Sequence, residues 1–524
     1  MSLELRAASA RRISVAIICH DDQNALAGTL ETARAVGDEI IVVHCASGGK
    51  PAKLAAAPNL IVVERPWEHD FSALRNAAIE RATGDWLLWL ESGESMTAEA
   101  ALALRKFALS TADPKNVYLL VVTVPPALGE IAGEQVAQIR LLPRAQRLRY
   151  RGRVRERLEP SPEAAGLGKE GLPWRIARGA RENDPQYKTA RAQRDLELVK
   201  LDLAERGMQP CLLVARGEAL AGLHDRTGAA KAFREAIAVA PPASSMLREA
   251  YYGLLTTCID PPQRPEQIKI CLEALEKFPL DAQLLCAMGG YMQAEGRPEL
   301  SAQAYRTAVD FGEIDPQTWH VPDIHEIATI CLSLTFQMRG SDDEGRQVLE
   351  QMLARRPQSQ RVRRHLIDLH VRSDRRKEAL AEFENLPAET PCREALRSAI
   401  RGACLAANRN WVPAAAYLHT AYAAGCRDVL CLRWLSATLM ATGQNAAALP
   451  VLQAWKAIDP RGAECSGYLS TFGIAEAKPE LIPQPGSAVP PGGSRRLRID
   501  GPNPAAGSAL PTPKLSPSDT IRSH

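Results

Sequence analysis

The chain has 524 residues, 46% apolar and 5% aromatic, with Lys+Arg 64 against Asp+Glu 61. That length is enough for about three domains of ~150 residues, and the alanine-rich, aromatic-poor composition favours close-packed helices over β-sandwiches. Near-neutral charge excludes a global basic field of the kind that nucleic acid or an acidic membrane recruits. Twelve scattered cysteines with no C-x-x-C pair exclude a zinc ribbon or a redox dithiol and read as buried thiols in a reducing compartment. The start, MSLELRAASARR, lacks the apolar segment of a signal peptide. No uncharged apolar run approaches the ~20 residues of a membrane span. The expectation is a cytoplasmic protein without a transmembrane segment.

Residues 13 to about 160 alternate strand and helix patterns. ISVAIIC (13–19) is a continuous apolar run, as in a strand covered on both faces. Helical spacing follows over 24–36, then strands at EIIVVHC (39–45) and LIVVERP (60–66). FSALRNAAIERAT (71–83) predicts a helix, WLLWLE (86–91) a strand, 97–109 a helix and VYLLVVTV (117–124) a strand. This βαβ order predicts a mainly parallel sheet with its ligand crevice at the carboxyl ends of the strands. Those ends carry Cys19–His20–Asp21–Asp22, His44–Cys45–Ala46–Ser47 and Glu91–Ser92–Gly93–Glu94. The alternating run from Arg147 to Leu158 predicts a strand with one arginine-bearing face.

From about 185 to 470 the pattern is helical and repetitive. LLVARGEALAGLHDRTGAAKAFREAIAVAP (212–241) places Gly217, Leu220, Ala229, Phe233, Ala236 and Pro241 at tetratricopeptide spacing. LLCAMGGYMQAEGRPELSAQAYRTAV (284–309) repeats it with Gly289, Met292, Ser301, Tyr305 and Ala308. Equivalent positions recur at Ala274, Met352, Leu386, Ala421 and Ala454, close to the ~34-residue period. The one long step contains EIDPQTWHVPD (313–323), which reads as an inter-helix insertion. Beyond about 478 the Pro-, Gly- and Ser-rich tail cannot bury enough apolar surface to offset ordering entropy and reads as disordered.

Four stretches, DEIIVVHCAS (38–47), WEHDFSALRN (67–76), GDWLLWLESGE (84–94) and IRLLPRAQRLRYRGRVRERL (139–158), resemble in their order the family-2 glycosyltransferases of the GT-A type, in particular those followed by tetratricopeptide repeats. The resemblance implies four segments: an extension at 1–11, a nucleotide-sugar-transferase-like α/β domain at 12–184, an all-α repeat solenoid at 185–477 and the tail at 478–524. It also implies transfer of a sugar from a nucleotide-diphosphate donor to a protein or glycan acceptor. A cation such as Mg²⁺ or Mn²⁺ would bridge the diphosphate to an acidic motif, and a carboxylate base would take the acceptor proton.

Onto this sequence the resemblance carries Glu91 and Glu94 as the metal and catalytic acids, and Glu156 as the acceptor base. His44, Asp70, Arg75, Asn76 and Arg155 would line the nucleotide-sugar pocket. The family's V-D-T-G-S is here Val43–His44–Cys45–Ala46–Ser47, its L-D-A-D-E is Leu90–Glu91–Ser92–Gly93–Glu94, and its R-G-x-V-H-E is Arg151–Gly152–Arg153–Val154–Arg155–Glu156. The opening I-V-K-N-E-E type segment is Ile18–Cys19–His20–Asp21–Asp22–Gln23. Arg155 would offer a guanidinium to the diphosphate in place of a metal. The residues on their own also allow Asp70 as a helix cap, Glu91 and Glu94 as solvated acids and Glu156 in a surface salt bridge. Two functions follow: sugar transfer, or a catalytically inactive fold whose repeats bind protein partners.

Overall fold

The computed structural model describes residues 11–20, 25–45, 59–127, 132–144, 148–259, 263–459 and 463–472. The disordered-tail reading, most of the N-terminal extension, and Asp21, Asp22, Gln23, Ala46, Ser47 and Arg147 lie outside the described residues. Two compact units form. Among the described residues, the first runs through Pro279 and takes in Ile314–Pro322; the second comprises Leu280–Glu313 and the residues from Asp323 to Phe472.

The first unit is built on an eight-stranded sheet of order β3-β2-β1-β4-β7-β6-β10-β5. Its strands are β1 (Ile13–His20), β2 (Glu39–Cys45), β3 (Leu60–Glu64), β4 (Trp86–Glu91), β5 (Glu94–Ser95), β6 (Asn116–Val124), β7 (Glu134–Pro143) and β10 (Gly168–Arg178). Strands β3, β2, β1 and β4 are parallel, as the continuous apolar runs predict. The other half is mixed: β7 runs antiparallel to both β4 and β6, and β10 is parallel to β6. Helices α1 (Leu26–Val36) and α3 (Ala98–Ser110) cover one face with Ile13, Val15, Ile17, Leu88 and Leu90. Helix α2 (Phe71–Arg81) covers the other with Ala16, Ile18, Leu87 and Trp89.

The arginine-rich run is not one strand. It folds into a hairpin of β8 (Arg149–Arg151) and β9 (Arg157–Glu159), because Gly152 and Arg155 take left-handed backbone (φ 100° and 47°) and reverse the chain. Arg149, Arg151 and Arg157 stay exposed, while Arg153 and Arg155 turn inward.

Helices follow throughout the rest of the described chain. In the first unit they are α4 (Pro185–Arg206), α5 (Pro210–Gly222), α6 (Arg226–Val239), α7 (Ser245–Thr256) and α8 (Arg264–Lys277). In the second they are α9 (Ala282–Ala294), α10 (Pro298–Phe311), α11 (Ile324–Met338), α12 (Asp342–Arg355), α13 (Gln360–Arg372), α14 (Arg376–Glu384), α15 (Arg393–Ala407), α16 (Trp411–Ala423), α17 (Val429–Ala441), α18 (Asn445–Ile458) and α19 (Ala463–Ser470). Within each unit successive helices pack on one another, α5 on α6 and α6 on α7 in the first, α9 on α10 and α11 on α12 in the second, as the ~34-residue period demands. The glycines of the repeat are packing devices. A Cβ on Gly217 or Gly253 would stand 2.5 Å or 2.3 Å from the Phe233 ring, which lies between α5 and α7. In the second unit Gly289 makes the same room for Tyr305, at 2.7 Å.

The last strand ends at Arg178 and α4 begins at Pro185, but the packing boundary lies farther on. Val154 of the hairpin shares an apolar cluster with Leu198, Val199, Cys211 and Leu212 of α4 and α5, backed by Trp67 and Phe71. Those helices therefore belong to the first compact unit. The 313–323 insertion does lie between helices, α10 and α11, yet most of it packs into the first unit as well.

Candidate active site

The buried run Trp86–Leu90 drives β4 through the centre of the sheet and delivers Glu91 at its carboxyl end. A tight turn follows. Gly93 sits at φ 93°, where a side chain would be strained, and its N–H donates to Thr29 Oγ1 at 3.0 Å. The turn leads directly into β5, where Glu94 lies opposite Arg178 in antiparallel register with β10.

Glu94 is 1% exposed and both its oxygens are saturated. Oε1 accepts from Arg140 Nη2 at 2.7 Å and Arg178 Nε at 3.1 Å; Oε2 accepts from Arg140 Nη1 at 2.9 Å and the Glu91 N–H at 2.8 Å. Glu91 accepts from Arg178 Nη2 at 2.9 Å and Arg75 Nη2 at 3.2 Å. Arg75 also donates to Glu156 Oε1 at 2.5 Å, and its guanidinium lies 5.1 Å and 5.2 Å from the Trp89 and Tyr150 rings. The three predicted acids, Glu91, Glu94 and Glu156, are thus brought together, but by three arginines. Burial would raise the pKa of Glu91; Arg178, Arg140 and Arg75 outweigh it and hold the carboxyl well below the usual range. Burial pushes the Tyr150 hydroxyl up to about 12, against the opposing pull of Arg75.

This donor set does not suit a divalent cation. Every oxygen of Glu91 and Glu94 already accepts from a guanidinium, and a cation there would meet three fixed positive charges. Among the described residues, no group of three or more His, Cys, Asp or Glu side chains could hold a metal ion. At Gly93, where the resembling family carries its second Asp, a Cβ would meet the Arg181 guanidinium at 2.8 Å. Arg181 Nη2 donates to the Ser92 carbonyl next to it.

The remaining predicted residues have separate places. Asp70 caps α2, accepting from the Ser72 N–H at 2.7 Å and the Ala73 N–H at 3.2 Å. Asp70→Ala should cost about 1 kcal/mol of stability, read from urea melts; an unchanged midpoint would refute the capping role. Asn76 clamps the Tyr150 backbone, donating to its carbonyl at 2.9 Å and accepting from its N–H at 2.8 Å. His44 is fully buried, with Nδ1 2.7 Å from Glu64 Oε2 on the neighbouring strand.

Arg155 is engaged by the helices α5 and α7. Its guanidinium donates to Glu218 of α5 at 2.5 Å and Glu249 of α7 at 2.6 Å, which accounts for its raised pKa despite burial. Both of its charge partners are thus carboxylates of the helices. Sequence reasoning missed Arg140 and Arg178. The signal was present in QIRLLP and WRIAR: an arginine inside an apolar strand run needs a buried acid partner.

Residues 14–108 match the family described as Glycosyl transferase family 2. A TPR repeat-containing protein of Synechococcus elongatus is 34% identical over 98 residues, which is 19% of this chain and 24% of that protein. The matched region thus spans about a quarter of that relative. Among solved structures, a tetratricopeptide repeat protein from Parabacteroides merdae is 13% identical with a TM-score of 0.31, covering 50% of this chain and 100% of that one. Yeast Tom70 is 12% identical with a TM-score of 0.36, covering 56% and 60%. These two likenesses are too low to carry weight; the repeat assignment rests on the chain's own helical hairpins. The chain thus joins an α/β domain that matches family-2 glycosyltransferases over residues 14–108 to helical repeats of tetratricopeptide type.

Proposed function

We propose that the chain is a glycosyltransferase-like protein that has given up metal-dependent sugar transfer and works by binding, its helical repeats engaging a protein partner. One observation carries this reading: both carboxylates of the LESGE stretch are committed to guanidinium groups, with Arg181 beside the glycine that replaces an acid. Each carboxylate of that stretch is already shared with an arginine, so an incoming cation would have to displace a guanidinium to be ligated. No helix among the described residues is long and apolar enough to cross a membrane.

A second reading is favoured by the same arginines. Arg75, Arg178 and Arg181 cluster at a strand end where nucleotide-sugar diphosphates bind in such folds, and guanidinium geometry matches phosphate. Transfer would then proceed without a metal, with Glu156, released from Arg75, taking the acceptor proton.

Thermal melts with a panel of nucleotide sugars, with Mn²⁺ or with EDTA, separate the two. A ligand at about 100 times its Kd stabilises by ~2.7 kcal/mol. We expect no Mn²⁺-dependent shift and no release of nucleoside diphosphate. A Mn²⁺-dependent shift abolished by Glu91→Ala would overturn the binding-only reading. A shift in EDTA, abolished by Arg178→Ala, would establish the second reading instead.

A further inference from the structure

The β8–β9 hairpin presents two unlike faces. Tyr150 and Leu158, each 8% exposed, turn inward and join the apolar cluster of Trp89, Leu142 and Leu148. Strand alternation then gathers Arg149, Arg151, Arg157 and Glu159 on the outer face. The register sets Arg149 opposite Glu159, and Arg151 directly opposite Arg157. Glu159 nonetheless reaches diagonally to Arg151, at 3.1 Å. Arg149 donates to the neighbouring Leu148 carbonyl at 3.0 Å. Among the described residues, neither Arg149 nor Arg157 has a carboxylate partner.

Like charges directly opposite on paired strands repel one another. The Arg151–Arg157 pair therefore works against the hairpin, whose anchoring comes from Tyr150 and Leu158 on the other face. Three guanidiniums against one carboxylate leave the outer face positive. A local rule broken with no gain to the fold marks a place where function makes the demand.

The chemistry of the face selects its occupant. Arginine offers paired N–H donors that match a carboxylate. The face is open, with the Arg151 side chain 73% exposed, whereas small ligands are held in concavities. Guanidiniums rooted ~7 Å apart along a strand and ~5 Å apart across the pair suit anions repeated along a chain. Single-stranded nucleic acid is bound on aromatic platforms, and a membrane surface takes apolar anchors beside the charge. The outward residues Arg149, Arg151, Arg157 and Glu159 supply neither.

We propose that the outer face of the β8–β9 hairpin binds an acidic glycan, through carboxylates spaced along the sugar chain. The choice of a glycan rests on the glycosyltransferase-like reading of the α/β domain. Glu156, the acceptor base in the sugar-transfer form of that reading, lies in the turn between β8 and β9, one residue before Arg157. A glycan held by these arginines is held beside that turn.

The probe is fluorescein-labelled polygalacturonate, titrated with the full chain and read by anisotropy at about 50 mM and about 200 mM NaCl. Arg149→Ser/Arg151→Ser/Arg157→Ser should weaken binding at the lower salt at least about 10-fold and flatten its salt dependence, because fewer counterions are released. Arg297→Ser/Arg355→Ser/Arg376→Ser removes the same charge from exposed positions in the helical repeats. Its effect should stay below about twofold, since salt screens distant charges. Urea midpoints show whether each variant keeps the fold. Should the hairpin triple variant fail to fold, Arg157→Gln alone decides, with an expected loss of about threefold. Equal losses in the two triple variants, or no binding of polygalacturonate by the wild type, would overturn the proposal. So would tighter binding of single-stranded DNA or of phosphatidylserine vesicles through the same arginines. The nucleotide-sugar melts read the end of β4 and use neither this probe nor the hairpin's outer face, so either reading can fail alone.

Discussion

Glu94→Ala should destabilise the first unit by about 3–5 kcal/mol, measured by urea unfolding. The carboxylate is 1% exposed and accepts four hydrogen bonds, three of them from arginines. Its removal leaves Arg140, itself 3% exposed, as a buried cation facing an empty site. Truncating one partner of a buried pair leaves an uncompensated charge, and that penalty exceeds the net worth of the intact pair. The double variant Glu94→Leu/Arg140→Met removes both charges and keeps the volume, so it should recover most of the loss. A single-variant loss below about 1 kcal/mol would mean that the pair is hydrated and that Glu94 remains open to other ligands. The experiment therefore bears on function as well as stability.

Phe233→Ala should cost about 3–5 kcal/mol, the range for emptying an aromatic site in a core. The ring is 1% exposed and fills space that two glycines, Gly217 and Gly253, leave between α5 and α7. With no Cβ on either glycine, neither backbone has side-chain atoms with which to refill the hole. Gly253→Ala attacks the same contact from the other side, since its Cβ would stand 2.3 Å from the ring. The two substitutions should be non-additive, because each removes the fit that the other disturbs. Additive losses would show that the ring and the glycine act independently.

How far the sequence could be read depended on the range of the interactions. Parallel strands β1 to β4 and helices α1 to α3 were legible because a buried strand needs only a local apolar run and a helix a local period. The repeats were legible because one packing solution recurs, as Gly217 with Phe233 and Gly289 with Tyr305. The acids of the site were located by position, but their state was not visible. Arg140 and Arg178 lie 46 and 84 residues from Glu94 in the chain, and their pairing depends on sheet order rather than on any local pattern. The arginine run failed as a strand for the opposite reason: its alternation was regular, but left-handed backbone at Gly152 and Arg155 cuts it into a hairpin.

The seating of Ile314–Pro322 also has a temporal meaning. Synthesis proceeds from the N-terminus, and domains generally fold as units when their last element emerges. The sheet's final strand ends at Arg178, yet the segment that roofs it arrives more than a hundred residues later, after α4 to α10 have been made. During that interval the nascent chain carries Arg178 and the apolar sheet rim uncovered. A chain interrupted before Ile314 would retain every strand of the sheet and still present that rim to the ribosome's surroundings.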